Sequence, residues 1–286
     1  MEMCEFFESE EPKNIDLKNL RLSWFPWNGS KRWLVPRLIP LAQVWGGTGR
    51  FLEPFVGGGS VSYMVRGLYP EITQIVGEAN PWLASAYCWQ VLGQKPELKA
   101  SLLTRDWIME QRALSDESLK NMTEAEKALR FAVCLHTAWG NRWETHPSGV
   151  FRSTVNQKFM EPAFLLRKLD KFFSTKWLGE QDRVIVGDWE TLLQEAKEGD
   201  LVYLDPPYPE TLGYGNQFWD FANHLDTIDW VADQIRNQTG VSILVSNLAS
   251  VERLYRRLGM DIWIIQGPKR SKTRAKRQEV LAWFKA

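Results

Sequence analysis

Residues 199–208, Gly199-Asp200-Leu201-Val202-Tyr203-Leu204-Asp205-Pro206-Pro207-Tyr208, run an apolar strand directly into an acid, two prolines and an aromatic ring. Each proline lacks an N–H and fixes φ, so a strand ladder cannot continue through the pair and the strand must stop at about Asp205. The stop is rigid, and it presents a carboxylate, a carbonyl and a ring. In an open α/β sheet the carboxyl end of a strand is where ligands bind. Acids and prolines also mark ordinary turns, so the tetrapeptide alone is compatible with a simple strand exit.

Outward from this segment, strand-like and helix-like patterns alternate. Strands are predicted at 50–53, 73–77, 183–186, 201–204, 241–246, 260–266 and 279–284, and helices at 60–67, 82–92, 124–138 and 227–237. The alternation predicts an α/β fold of Rossmann-like, mostly parallel seven-stranded type with helices on both faces. Residues 79–182 interrupt it: they contain no apolar strand of the parallel kind and read as a helical insertion. The expected partition is therefore a catalytic domain over 20–92 and 176–286, an insertion over 93–175, and an acidic extension over 1–19.

With 286 residues, 44% hydrophobic and 24% charged, the chain has a globular composition, and no apolar run is long enough to span a membrane. Its amino terminus is acidic where a secretory signal would be basic, and a cytoplasmic location is expected. The three cysteines lack CxxC spacing and the three histidines lack ligand spacing, so no structural metal is expected. A net charge of zero conceals asymmetry. Residues 1–11 hold five glutamates, whereas residues 269–277 hold six cations, Lys269, Arg270, Lys272, Arg274, Lys276 and Arg277, and no acid. A run of that density suits phosphates, although charge runs are commonly only solvated loops.

The first predicted strand leads into Phe51-Leu52-Glu53-Pro54-Phe55-Val56-Gly57-Gly58-Gly59-Ser60, followed by a helical pattern. Glycines there let the backbone approach a ligand closely at a helix N-terminus, which offers free N–H groups. The turn is neither a dinucleotide GxGxxG nor a phosphate loop. Glu78, closing the next strand, can accept both hydroxyls of a ribose. Together the turn and the acid imply a nucleoside-like cofactor.

These two features, Asp205-Pro206-Pro207-Tyr208, and the upstream Phe25-Pro26-Trp27-Asn28-Gly29-Ser30-Lys31 resemble the Dam-type, D12 class of adenine-N6 DNA methyltransferases. Their order is similar to the family's alpha arrangement, and the resemblance extends over about residues 20–285. It implies S-adenosylmethionine as cofactor, held by Trp27, Lys31, Glu53, Phe55, Gly57, Gly59, Glu78 and the acid-aromatic pair Asp188 and Trp189, with Lys31 suited to its carboxylate. It implies that Asp205 and the Pro206 carbonyl, fixed by Pro207, accept hydrogen bonds from the exocyclic amine of adenine. Tyr208 would then stack on the base after it is flipped from the duplex.

Within the insertion, residues 137–143 look like the family's DNA-reading loop, and Asn141 and Arg142 are chemically apt for adenine and guanine edges. Trp139 and Trp143 fit either this loop or simple packing on the sheet. Arg152-Ser153-Thr154-Val155 departs from the family's usual segment, so no recognition sequence carries over. The basic run at 269–277 stands where the family places a DNA-contacting loop, which favours phosphate binding over the solvated alternative. Double-stranded DNA is the expected partner, with a cognate restriction endonuclease as a further candidate and no membrane partner. Two alternatives stay open: methylation of cytosine N4 or RNA adenine, and a catalytically silent DNA-binding module.

Overall fold

A computed structural model describes residues 24–93, 96–208, 221–267 and 278–286. Seven strands, β1 (Phe51–Glu53), β2 (Gln74–Glu78), β3 (Arg183–Val186), β4 (Leu201–Leu204), β5 (Ser242–Leu248), β6 (Asp261–Gln266) and β7 (Gln278–Phe284), form one sheet in the order β3-β2-β1-β4-β5-β7-β6. Every pairing is parallel except those of β7, which runs antiparallel to β5 and β6. The strand order reverses between β1 and β4, and that crevice beyond the strands' carboxyl ends is the natural ligand site of such a sheet.

Period-two alternation decides which face each residue covers. Leu201 and Tyr203 of β4 pack with Leu244 and Leu281 beneath α1 (Val35–Trp45) and α2 (Ser60–Leu68). Val202 and Leu204 pack on the other face with Ile243 and Val245, under α7 (Trp189–Leu193), α8 (Phe221–Arg236) and α9 (Glu252–Arg257). All four residues of β4 are buried, as a central parallel strand covered on both faces requires. Helix α1 was not among the helices predicted from the sequence, and it carries Pro36 and Pro40. Proline is tolerated in the first turn, where Pro36 lies, and Pro40 is buried within an otherwise regular helix.

The remaining helices are α3 (Pro81–Leu92), α4 (Arg105–Ala113), α5 (Glu124–Thr137) and α6 (Pro162–Ser174). Between α3 and β3 the described residues contain only short 3-10 turns and two isolated bridges besides helices, in agreement with a helical insertion. A capping box of Thr123 and Glu126 starts α5. Its buried Arg130 lies 3.5 Å over the Trp82 ring and donates to the carbonyls of Gln111, Leu114 and Gly149, tying the end of α4 and the turn at Gly149 to α3. Trp24 stacks on Phe172 with ring centroids 4.4 Å apart, and Phe25 meets Phe131 edge-on at 5.4 Å. The segment before α1, helix α3 and the insertion thus share one aromatic core, rather than the insertion owning a core of its own.

Candidate active site

The glycine turn is built to fit two aromatic side chains. Gly57 and Gly59 have φ of 46° and 63°, and Gly59 is the N-cap of α2. A Cβ at Gly58 would stand 2.8 Å from Trp27 Cβ, and one at Gly59 would stand 2.8 Å from the Tyr87 hydroxyl, so neither position admits a side chain without movement. Tyr87 donates to the Gly57 carbonyl at 2.6 Å, and the hydroxyls of Ser30 and Ser60 are 2.7 Å apart. These contacts bring Trp27, its segment and the turn together.

Glu78 accepts from the Asn80 N–H at 2.9 Å. Burial raises its pKa to about 7, against the lowering effect of backbone N–H groups of Asn80, Gly57 and Ala79, which places the carboxylate at the turn. Phe55 and Trp189 face one another with centroids 5.9 Å apart and planes 32° from parallel, and Asp188 is the N-cap residue of α7. An acceptor, a ring pair and close backbone approach are the donor set that a sugar and an adenine ring would need, so these residues fit S-adenosylmethionine. Glu53 is placed differently. Its carboxylate turns into the protein, where both the N–H and the hydroxyl of Ser62 donate to it. Burial pushes its pKa up to about 8.

At the end of β4, Asp205 accepts from Lys31 Nζ at 2.5 and 2.7 Å through its two oxygens and from the Ser246 hydroxyl at 2.9 Å. Ser246 in turn lies 2.7 Å from the buried Tyr203 hydroxyl. β4 and β5 pair in register up to Leu204 and Val245, and the next step places Asp205 beside Ser246. Lys31, expected on a cofactor carboxylate, is here buried against Asp205. Tyr208 is buried as well: its hydroxyl donates to Glu279 Oε2 at 2.9 Å, and Lys31 Nζ lies 5.0 Å from its ring centroid. Carboxylates at the opposite ends of the strands have structural partners, Asp200 with Arg50 at 2.7 Å and Asp182 with Arg66 at 2.6 Å.

The expected DNA-reading loop is only partly available. Trp143 is a core residue, 4.9 Å from Phe131, whereas Trp139 is 64% exposed. Asn141 adopts φ of 52° and donates one proton of its side-chain amide to the Leu135 carbonyl at 3.1 Å, which leaves its other proton and its oxygen, the pair that a bidentate adenine contact uses. Arg142 is exposed, 3.7 Å from Glu144. The six cations of residues 269–277 and the acidic extension lie outside the described residues. Ser62, Tyr87, Ser246 and Glu279 were missed from sequence. Ser246 and Glu279 carried one faint signal, a polar residue interrupting an apolar strand.

Residues 96–265 match the family model for D12 class N6 adenine-specific DNA methyltransferases. Asp205 to Tyr208 lie inside the match, and the glycine turn precedes it. The chain is 25% identical over 245 residues to the type II methyltransferase M1.LlaDCHI of Lactococcus lactis subsp. cremoris, an alignment covering 80% of this chain and 83% of that one. It is 23% identical over 278 residues to the DNA N-6-adenine-methyltransferase of Escherichia phage P1, covering 91% of this chain but 35% of the phage protein.

Proposed function

We propose a residue-level mechanism from one premise: this chain belongs to the D12 class N6 adenine-specific DNA methyltransferase family. Members of the family methylate the exocyclic N6 of adenine in DNA, with S-adenosylmethionine as methyl donor. When bound, that cofactor supplies an electrophilic methyl group on a sulfonium. Trp27, Phe55, Gly57, Gly59, Glu78, Asp188 and Trp189 are the residues to which we assign its binding, with Glu78 on the ribose. Glu53 is assigned a supporting part, because its carboxylate holds Ser62 in α2 directly after the glycine turn.

The amine of adenine is a poor nucleophile, since its lone pair is delocalised into the ring. Asp205 and the Pro206 carbonyl would accept its two hydrogens and favour the pyramidal, nucleophilic form. Ser246 and Lys31 both bond Oδ1 of Asp205 and Lys31 also bonds Oδ2, so together they fix the orientation of the carboxylate. The observation that carries this reading is a carboxylate bonded by Lys31 and Ser246 at the carboxyl end of β4, one strand from the glycine turn. Direct transfer then needs no covalent enzyme intermediate. The target base would reach Asp205 by flipping from the duplex.

We assign the sheet to chemistry and residues 93–175 to target recognition, with Arg142 and the cations of 269–277 on DNA, a double-stranded substrate and a cytoplasmic location. No helix among the described residues is long and apolar enough to cross a membrane. The test is incubation of genomic DNA with labelled S-adenosylmethionine, followed by nucleoside analysis. N6-methyladenine produced by the parent and absent with Asp205→Ala is the expected result, whereas N4-methylcytosine as the product would replace the substrate assignment.

A further inference from the structure

Away from Asp205, the insertion and the segment before α1 enclose a cleft of about 120 Å³. That is room for a planar ring or several waters. Its apolar walls are Trp24, Phe159, Phe164 and Phe172. Phe159 and Phe164 lie face to face, 5.0 Å apart and within 4° of parallel, and both are only half-buried. Lys168 and Lys171, one turn apart on α6, also line the cleft, and both are exposed. No carboxylate is among the described residues lining it.

One lining group is out of keeping with a packing defect. His136 is 8% exposed, lines the cleft, and has no hydrogen-bond partner among the described residues. Its ring nitrogens are not sealed from solvent, and a polar ligand in the cleft would replace water as their partner. Burial, reinforced by Lys168 and Lys171, pushes its pKa down to about 4, so the ring is neutral and offers one donor and one acceptor, a pair suited to the edge of a nucleobase. Asn141, the loop residue expected to face DNA, forms part of the same wall.

We propose that this cleft is a nucleotide site, separate from the target-adenine site, that takes one unpaired base of the DNA with its phosphate on Lys168 and Lys171. The proposal rests on the reading of DNA as substrate. A base must leave the helix to enter a cleft of this kind, and flipping of the target adenine leaves unpaired and unstacked neighbours to be held. Aromatic walls and cations without acids match the two halves of a nucleotide, ring and phosphate. A protein partner of acidic character would use the lysines but not the buried imidazole.

Fluorescence anisotropy on the full chain can test this, with a labelled duplex carrying one bulged thymine and the same duplex fully paired. The parent protein is expected to prefer the bulged duplex. Phe159→Ala should weaken bulged-duplex binding roughly tenfold and leave the paired duplex nearly unchanged, the size of one lost aromatic contact to a base. The exposed pair Lys168→Gln with Lys171→Gln should flatten the log–log salt slope by about 0.9, the share of the one phosphate that the pair holds. Both proteins should bind S-adenosylmethionine like the parent, which checks their fold. An unchanged slope and an unchanged bulge preference would overturn the site. A flattened slope with Phe159→Ala still preferring the bulge would overturn the base pocket and leave a backbone contact only. Failure of the parent to methylate DNA would instead count against the enzymatic reading.

Discussion

Lys31 Nζ sits within 2.7 Å of both carboxylate oxygens of Asp205, so the cation expected from the sequence on the cofactor carboxylate and the acceptor proposed for the target amine are bonded to each other. An acceptor held by a buried ammonium is a weaker partner for an incoming amine, and a cation held by a carboxylate is less free for a second one. If the two side chains serve the sites proposed for them, occupation of one site should shift the other through this pair.

Asp205→Ala should lower methyl transfer by a hundredfold or more, the order of effect of losing one preorganised transition-state group. Asp205→Asn should also be inactive, yet it releases Lys31 and should bind S-adenosylmethionine as tightly as the parent or more tightly. Calorimetry on the two variants checks the linkage. Weaker cofactor binding in folded Asp205→Asn would show that the pair supports the cofactor site as it stands.

Glu78, proposed on the ribose, should carry the pH dependence of cofactor binding. Its carboxyl is raised to about 7, so the ionised form, the better acceptor for ribose hydroxyls, accumulates as pH rises through that value. Affinity should increase from pH 6 to 8 and then level off. Glu78→Gln should give a flat profile, with affinity at pH 8 reduced by roughly 1 to 3 kcal/mol. Equal affinities for parent and variant at pH 8 would remove Glu78 from the site.

Glu53 affects stability with the opposite preference. Its pKa is about 8 in the folded chain, against 4.5 for an unperturbed glutamate. The unfolded chain therefore loses this proton first, and stability is present at low pH and lost as pH rises from about 4.5 to 8. Glu53→Gln cannot ionise and should gain on the parent across that window, by about 2 to 4 kcal/mol at its upper end. Denaturant midpoints at pH 5 and pH 8.5 check both sign and size.

Tyr208 and Glu279 should behave as one unit, because the phenol donates to the carboxylate at 2.9 Å inside the protein. Tyr208→Phe and Glu279→Ala each break the same bond, so the double variant should be little worse than the worse single one, with a coupling of about 0.5 to 3 kcal/mol. Tyr208→Ala should cost more, since the ring assigned to the target base is lost with the bond. Measured kcat and KM for DNA that add independently across the cycle would show that the contact does not position the ring.

The sequence by itself determined the seven strands and their order along the chain, because their signals are local, whereas helices such as α1, α4 and α6 were not read from it. Four apolar residues followed by Asp205-Pro206-Pro207 can only be a buried strand with a rigid stop, and observed strand bounds differ from those predicted by at most two residues. It also delivered the glycine turn and Glu78, since a positive φ and a strand-terminal acid leave local marks. What it could not determine was partnership across the chain. Lys31 meets Asp205 from 174 positions away and Tyr208 meets Glu279 from 71, distances at which no spacing rule operates. Tertiary packing likewise took Trp143 into the core, turned Glu53 inward to Ser62 and gave Asn141 to the Leu135 carbonyl. Each of these side chains had a chemistry suited to a ligand. Burial and the nearest available polar partner decided which of them the fold kept for itself.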